Sequence, residues 1–116
     1  MLVQVKQRLI EPDIQVVELA GRLALADTLQ NVEGELQQLV QSGAQKVILD
    51  LSDLRSIDSA GIGMLMMISG LLADAGGQMR IAGAQGMVAQ TFQVVHLERV
   101  VPMHADAEAA AEAFSA

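Results

Sequence analysis

The chain has 116 residues, 52% of them hydrophobic, with 7 Lys and Arg set against 14 Asp and Glu for a formal charge of -7. That is one domain's length and far too apolar for a disordered chain. The acidic excess argues against binding a phosphate backbone or an anionic membrane surface, and the lack of Cys excludes disulfides, thiolate metal sites and a thiol nucleophile.

Val3, Val5 and Leu9 alternate with Gln4, Lys6 and Arg8, which predicts a half-buried strand rather than a basic-then-apolar leader. Glu11-Pro12-Asp13 is a turn signal, and Ile14 to Leu19 reads as the hairpin partner, ended by Ala20-Gly21. Asp27 is a candidate cap for a helix whose apolar face is Leu29, Val32, Leu36, Leu39 and Val40, stopped by Ser42-Gly43. Lys46 to Leu51 has a continuous apolar centre, as a strand covered on both faces does. Ser52 to Asp58 reads as a polar connector, and Ser59 to Ala75 as a helix closed by Gly76-Gly77. Met79 to Gly83 is a fourth strand. Gly86 to Val95 is a short helix with Val88, Thr91, Phe92 and Val95 inward. Val100-Val101-Pro102 is a fifth strand, and Ala105 to Phe114 a helix with Ala107, Ala110, Ala111 and Phe114 on one packed face. Helices alternate with strands after the hairpin, so a largely parallel or mixed sheet with crossover helices is expected. No run of 18 apolar residues is present to span a membrane.

Catalytic machinery is not visible. Ser59 lacks the glycine two residues before it that a nucleophile elbow needs, and there is no Gly-Lys-Ser/Thr phosphate loop. His96 and His104 read as surface or edge residues, not ligands. Asp50, Asp53 and Asp58 cluster near the third strand. A phospho-acceptor site with magnesium would want further acids after the first strand and a Lys after the last, so they read as turn and cap residues.

One segment stands out. Asp58-Ser59-Ala60-Gly61-Ile62-Gly63 opens a helix with either Asp58 or Ser59 as cap, yet places two glycines in its first five positions. Glycine admits close approach of another backbone or of a partner. The residues that follow, from Met64 to Leu72, are apolar almost all round, so the helix is either buried on most sides or offers an apolar face to a partner. A serine at a helix N-terminus is also a place where the helix dipole tolerates a phosphate.

Val47-Ile48-Leu49-Asp50-Leu51-Ser52, a short connector and then Ile57-Asp58-Ser59-Ala60-Gly61-Ile62-Gly63 resembles the signature of the STAS domain, shared by sulfate transporters and anti-sigma-factor antagonists. The resemblance implies an α/β fold: a mixed sheet of about five strands with about four helices largely on one face, forming one domain over residues 1–116. It implies a phosphorylation-switched anti-sigma-factor antagonist, not an enzyme and without a cofactor or metal. Ser59 would be the phosphosite, with Asp58, Ala60, Gly61, Gly63 and Arg22 at the partner-binding edge. The implied partners are a serine kinase that is itself the anti-sigma factor, bound when Ser59 is unphosphorylated, and a phosphatase that restores binding. Neither nucleic acid nor membrane insertion is implied; the setting would be cytoplasmic and the state monomer or weak dimer. Where the family usually reads Gly-Glu-Leu/Ile-Asp, this chain has Gly21-Arg22-Leu23-Ala24, so its polar rim differs. Two other readings stand beside this one: a STAS subunit of a larger transport or stress-signalling assembly with Ser59 structural, and a small nucleotide-binding module or enzyme.

Overall fold

Alternation in the first twenty residues produces the expected hairpin. In the computed structural model, which describes residues 3–24 and 26–115, β1 (Gln4–Ile10) pairs antiparallel with β2 (Ile14–Leu23), Ile10 facing Ile14 across the turn. Val3 and Val5 pack on the core, whereas Leu9 is exposed on this edge strand.

β2 does not stop at Ala20-Gly21. It runs to Leu23, alongside a β3 (Lys46–Ile57) that takes in nearly all of the expected connector. Their parallel register shifts twice, between Glu18 and Ala20 and between Gly21 and Arg22, each shift adding one residue on β3. Such bulges break the two-residue alternation that marks a strand in sequence. Gly21 lies in the bulged stretch with φ of 102°, a conformation that costs a side-chain-bearing residue dearly. Val47, Ile48 and Leu49 are buried at the sheet's centre, as their unbroken apolar run requires.

The sheet order is β1-β2-β3-β4-β5, parallel from β2 onward, with β4 at Gln78–Ala82 and β5 at Met103–His104. The expected fifth strand at Val100-Val101-Pro102 is displaced. The amides of Val100 and Val101 both go to the Leu97 carbonyl, each at 2.9 Å, closing a single 3₁₀ turn (Leu97–Arg99). Val101 is apolar because it is buried there, not because it pairs.

Three helices cover one face: α1 (Ala26–Gln41), α2 (Ser59–Asp74) and α3 (Gly86–Val94). Val32 and Leu36 of α1, Ile62, Met64, Leu65, Ile68 and Leu72 of α2, and Val88 and Phe92 of α3 join Val17, Leu49 and Ile81 in one aliphatic core. Helix α1 begins at Ala26, so Asp27 stands inside its first turn rather than before it; the Asp27 side chain is outside the described residues. Val95 follows the end of α3 and is exposed, not inward.

Among the described residues the opposite face is covered by α4 (Ala107–Ser115), which starts two residues later than expected, where Asp106 accepts the Ala109 amide at 2.8 Å. The anticipated face does pack: Ala107 and Ala110 are buried against Ile14, Val16, Ile48 and Ala82, with Ala111 and Phe114 partly buried beside them. The Arg80 guanidinium lies 4.9 Å from the Phe114 ring centroid and 3.0 Å from His104 Nε2. Burial, then the Arg80 charge, lowers the His104 pKa below the ordinary histidine value, so the neutral ring accepts this bond.

Candidate functional site

The C-terminal ends of β2 and β3 fix the start of α2. The Asp58 amide donates to the Leu23 carbonyl at 3.4 Å, tying the residue that follows β3 to the end of β2. Asp58 is extended (φ -107°, ψ -178°) and is the N-cap: its Oδ1 accepts the Gly61 amide at 2.9 Å, while its carbonyl accepts the Ile62 amide at 3.0 Å. Two candidate caps were legible in the sequence; the structure uses Asp58.

Ser59 is therefore left over. It is exposed at the first helical position, and its hydroxyl makes no hydrogen bond to a described residue. Ala60 is exposed beside it. Gly61 has the opposite environment. A Cβ there would sit 2.7 Å from the Leu23 carbonyl oxygen and 2.8 Å from Ile57 Cγ1, so the close approach is to the chain's own backbone. Gly63 is exposed, with nothing within 4 Å of where its Cβ would be. Beyond it, Met66, Met67 and Leu71 are 44%, 40% and 39% exposed, continuing an apolar surface away from Ser59.

Arg22 is one residue before Leu23, whose carbonyl meets this helix start. Its register partner is Ser56, and it is exposed, lining a cleft of about 730 Å³ at the same end of the sheet. Arg55, Asp53, Gln85 and Met87 share that lining. Arg55 and Gln85 were missed in the sequence because the bulged end of β3 reads as a loop and Gln85 precedes a helix without any motif. The aspartates near β3 divide by role. Asp50 Oδ1 accepts from the Ser52 hydroxyl and amide, Asp58 caps α2, and Asp53 faces the cleft. His96 is exposed beside Glu98, and His104 lies on the edge strand β5.

Comparison with known proteins places this geometry. The family model described as the Mlab, STAS domain matches residues 8–102. The chain belongs to the STAS family. BtrV of Bordetella bronchiseptica, named as an anti-sigma factor antagonist, is 29% identical over 85 residues, 73% of each chain. A Thermotoga maritima protein named in the same way superposes with a TM-score of 0.88 at 19% identity, over 97% of this chain and 95% of that one. SpoIIAA, described as an anti-sigma factor antagonist, superposes in its unphosphorylated form with a TM-score of 0.82 at 19% identity, over 97% and 96%. The phosphorylated form from Bacillus gives 0.75 at 19%, over 96% and 99%. These likenesses establish the five-stranded mixed sheet and its helices as the STAS fold.

Proposed function

We propose that this STAS domain, one unit over residues 1–116, is a cytoplasmic anti-sigma-factor antagonist switched by phosphorylation of Ser59. The observation that carries the proposal is the division of labour at the start of α2. Asp58 does the capping, so the Ser59 hydroxyl is exposed and spare. The names of its relatives, and the existence of SpoIIAA in a phosphorylated form, support the same reading.

The chain acts here as a substrate and binding partner, not as an enzyme. In the unphosphorylated state Ser59, Ala60, Gly63 and the exposed methionines offer a small, nearly uncharged surface, with Asp58 and Arg22 at its border and Gly61 keeping the turn tight against β2. A serine kinase that doubles as the anti-sigma factor docks there and releases the sigma factor. A phosphate on Ser59 adds close to two negative charges. The helix N-terminus accommodates them, but Asp58 already holds the Gly61 amide and repels a second anion, so the phosphate points outward at the partner. A phosphatase removes it and restores docking.

The test is to incubate the chain with a candidate switch kinase and ATP and to map the phosphate by mass spectrometry. One phosphate on Ser59, and none on S59A, supports the proposal; a phosphate elsewhere, or an unmodified chain with every kinase that binds it, overturns it. A second reading rests on a different observation, the exposed Met66, Met67 and Leu71. An apolar helix face of this kind also suits a STAS subunit held permanently in a larger assembly. There the chain would co-purify at constant stoichiometry whatever the state of Ser59.

A further inference from the structure

Helix α4 is held to its face of the sheet by small contacts. Of its nine residues Ala107 and Ala110 are the buried ones, against Ile14, Val16, Ile48 and Ala82, and Phe114 is half-buried beside them. An alanine methyl buries little area, and nine residues are too few for a helix to persist unpacked in water. The last turn of α4 has a further, polar attachment. The Arg80 guanidinium of β4 lies 4.9 Å from the Phe114 ring centroid, and its Nη1 is 3.0 Å from Nε2 of His104, which stands on β5 three residues before α4 begins. One arginine thus ties the strand that feeds the helix to the far end of that helix.

This tie needs a neutral imidazole. Arginine only donates and keeps its charge, so the ring nitrogen must accept. Arg80 Nε is already buried with no hydrogen-bond partner among the described residues, which makes the loss of another partner costly. A protonated ring carries an N–H on both nitrogens. The acceptor is then gone, and two cations stand 3.0 Å apart. Among the described residues no carboxylate lies within 4.0 Å of the His104 ring to offset them. The charged groups around the ring are Arg80 from β4, Asp106 at the start of α4, where it accepts the Ala109 amide, and Glu108 and Glu112, exposed on that helix. Glu98 of the 3₁₀ turn lines a cavity with His104, and Asp50, two strands away in the same row of the sheet, is bonded to Ser52.

We propose that α4 is a pH-sensitive latch: protonation of His104 drives Arg80 off Phe114, and the helix releases Ile14, Val16, Ile48 and Ala82 in acid. The direction of titration agrees with the geometry. Burial, then the Arg80 charge, holds the docked His104 below the ordinary histidine value, which the ring regains once released. Docking is therefore complete above the ordinary value and weakens as the pH falls through the docked one, by about tenfold for each unit between the two. The latch is on the sheet face opposite α2, so it stands or falls independently of the role of Ser59.

The test is amide hydrogen exchange of the full chain by NMR between about pH 7.5 and pH 5, a window above the ordinary carboxylate range, with the His104 ring signals followed in the same samples. Protection factors at Ala110 to Phe114 should fall about tenfold relative to those at Val47 to Leu49, along the titration curve of the His104 ring. H104Q, whose side-chain carbonyl can still accept from Arg80, should keep α4 protected throughout, and H96Q should behave as the wild type. R80M should raise the midpoint of the His104 ring and flatten the step in protection. Protection of α4 that ignores pH, that falls on a curve different from that of the His104 ring, or that falls equally in H104Q would overturn the latch, and so would a His104 midpoint unmoved in R80M.

Discussion

The two sides of α2 are made of similar residues and do opposite work. On the inner side Gly61, Ile62, Met64, Leu65, Ile68 and Leu72 are buried, the helix packing on α1, β3 and β4 and Gly61 meeting the end of β2. On the outer side Ser59, Ala60, Gly63, Met66, Met67, Gly70 and Leu71 face solvent. Composition barely distinguishes the sides, since each has glycine and methionine. What distinguishes them is the backbone of β2 behind Gly61 and the Asp58 carboxylate, which together fix the first turn. The inner side is committed to the fold; the outer side is free for a partner.

Substitutions that respect or violate this division should separate cleanly. Leu65 is fully buried, and L65A should cost about 2–5 kcal/mol, read as a fall in the denaturant midpoint; a cost under about 1 kcal/mol would mean that the inner side is not packed. The glycines give the sharpest contrast. G61A must push a methyl into the Leu23 carbonyl and should destabilise by about 1–3 kcal/mol. G63A enters open space within a helix and should stabilise by about 0.5–1 kcal/mol. Equal effects of the two would erase the distinction. The smallest contrast is between neighbours. D58A should cost about 1 kcal/mol by freeing the Gly61 amide, whereas S59A should stay within about 0.5 kcal/mol of wild type. If S59A costs as much as D58A, the serine is a cap and not a spare hydroxyl.

The order of elements was legible because each helix and strand carries its own period, from Val32 and Leu36 in α1 to Ala107, Ala110 and Phe114 in α4. Legibility failed where pairing departs from period. The extra residues on β3 put polar Ser52, Asp53 and Arg55 into a strand that sequence shows as a loop, and so hid the arginine cleft. Val100 and Val101 mimic a strand because one is buried at a turn, while the real β5 is two residues long and carries almost no signal. At the candidate site the helix start was readable from Asp58-Ser59-Ala60-Gly61. Which of the first two residues caps, and which of the two glycines is forced, depends on Leu23 and on the Gly61 amide, contacts across strands that no local pattern encodes.

The most direct measurement compares the unphosphorylated chain with chain stoichiometrically phosphorylated on Ser59, in titrations against the isolated partner kinase, with the unfolding midpoint of each form recorded alongside. A charge placed in a docked interface is worth about 2–5 kcal/mol, so affinity should fall by well over tenfold while the midpoint scarcely moves, because Ser59 is outside the bonds that hold α2. Equal affinity of the two forms, or a midpoint that collapses on phosphorylation, would contradict the account.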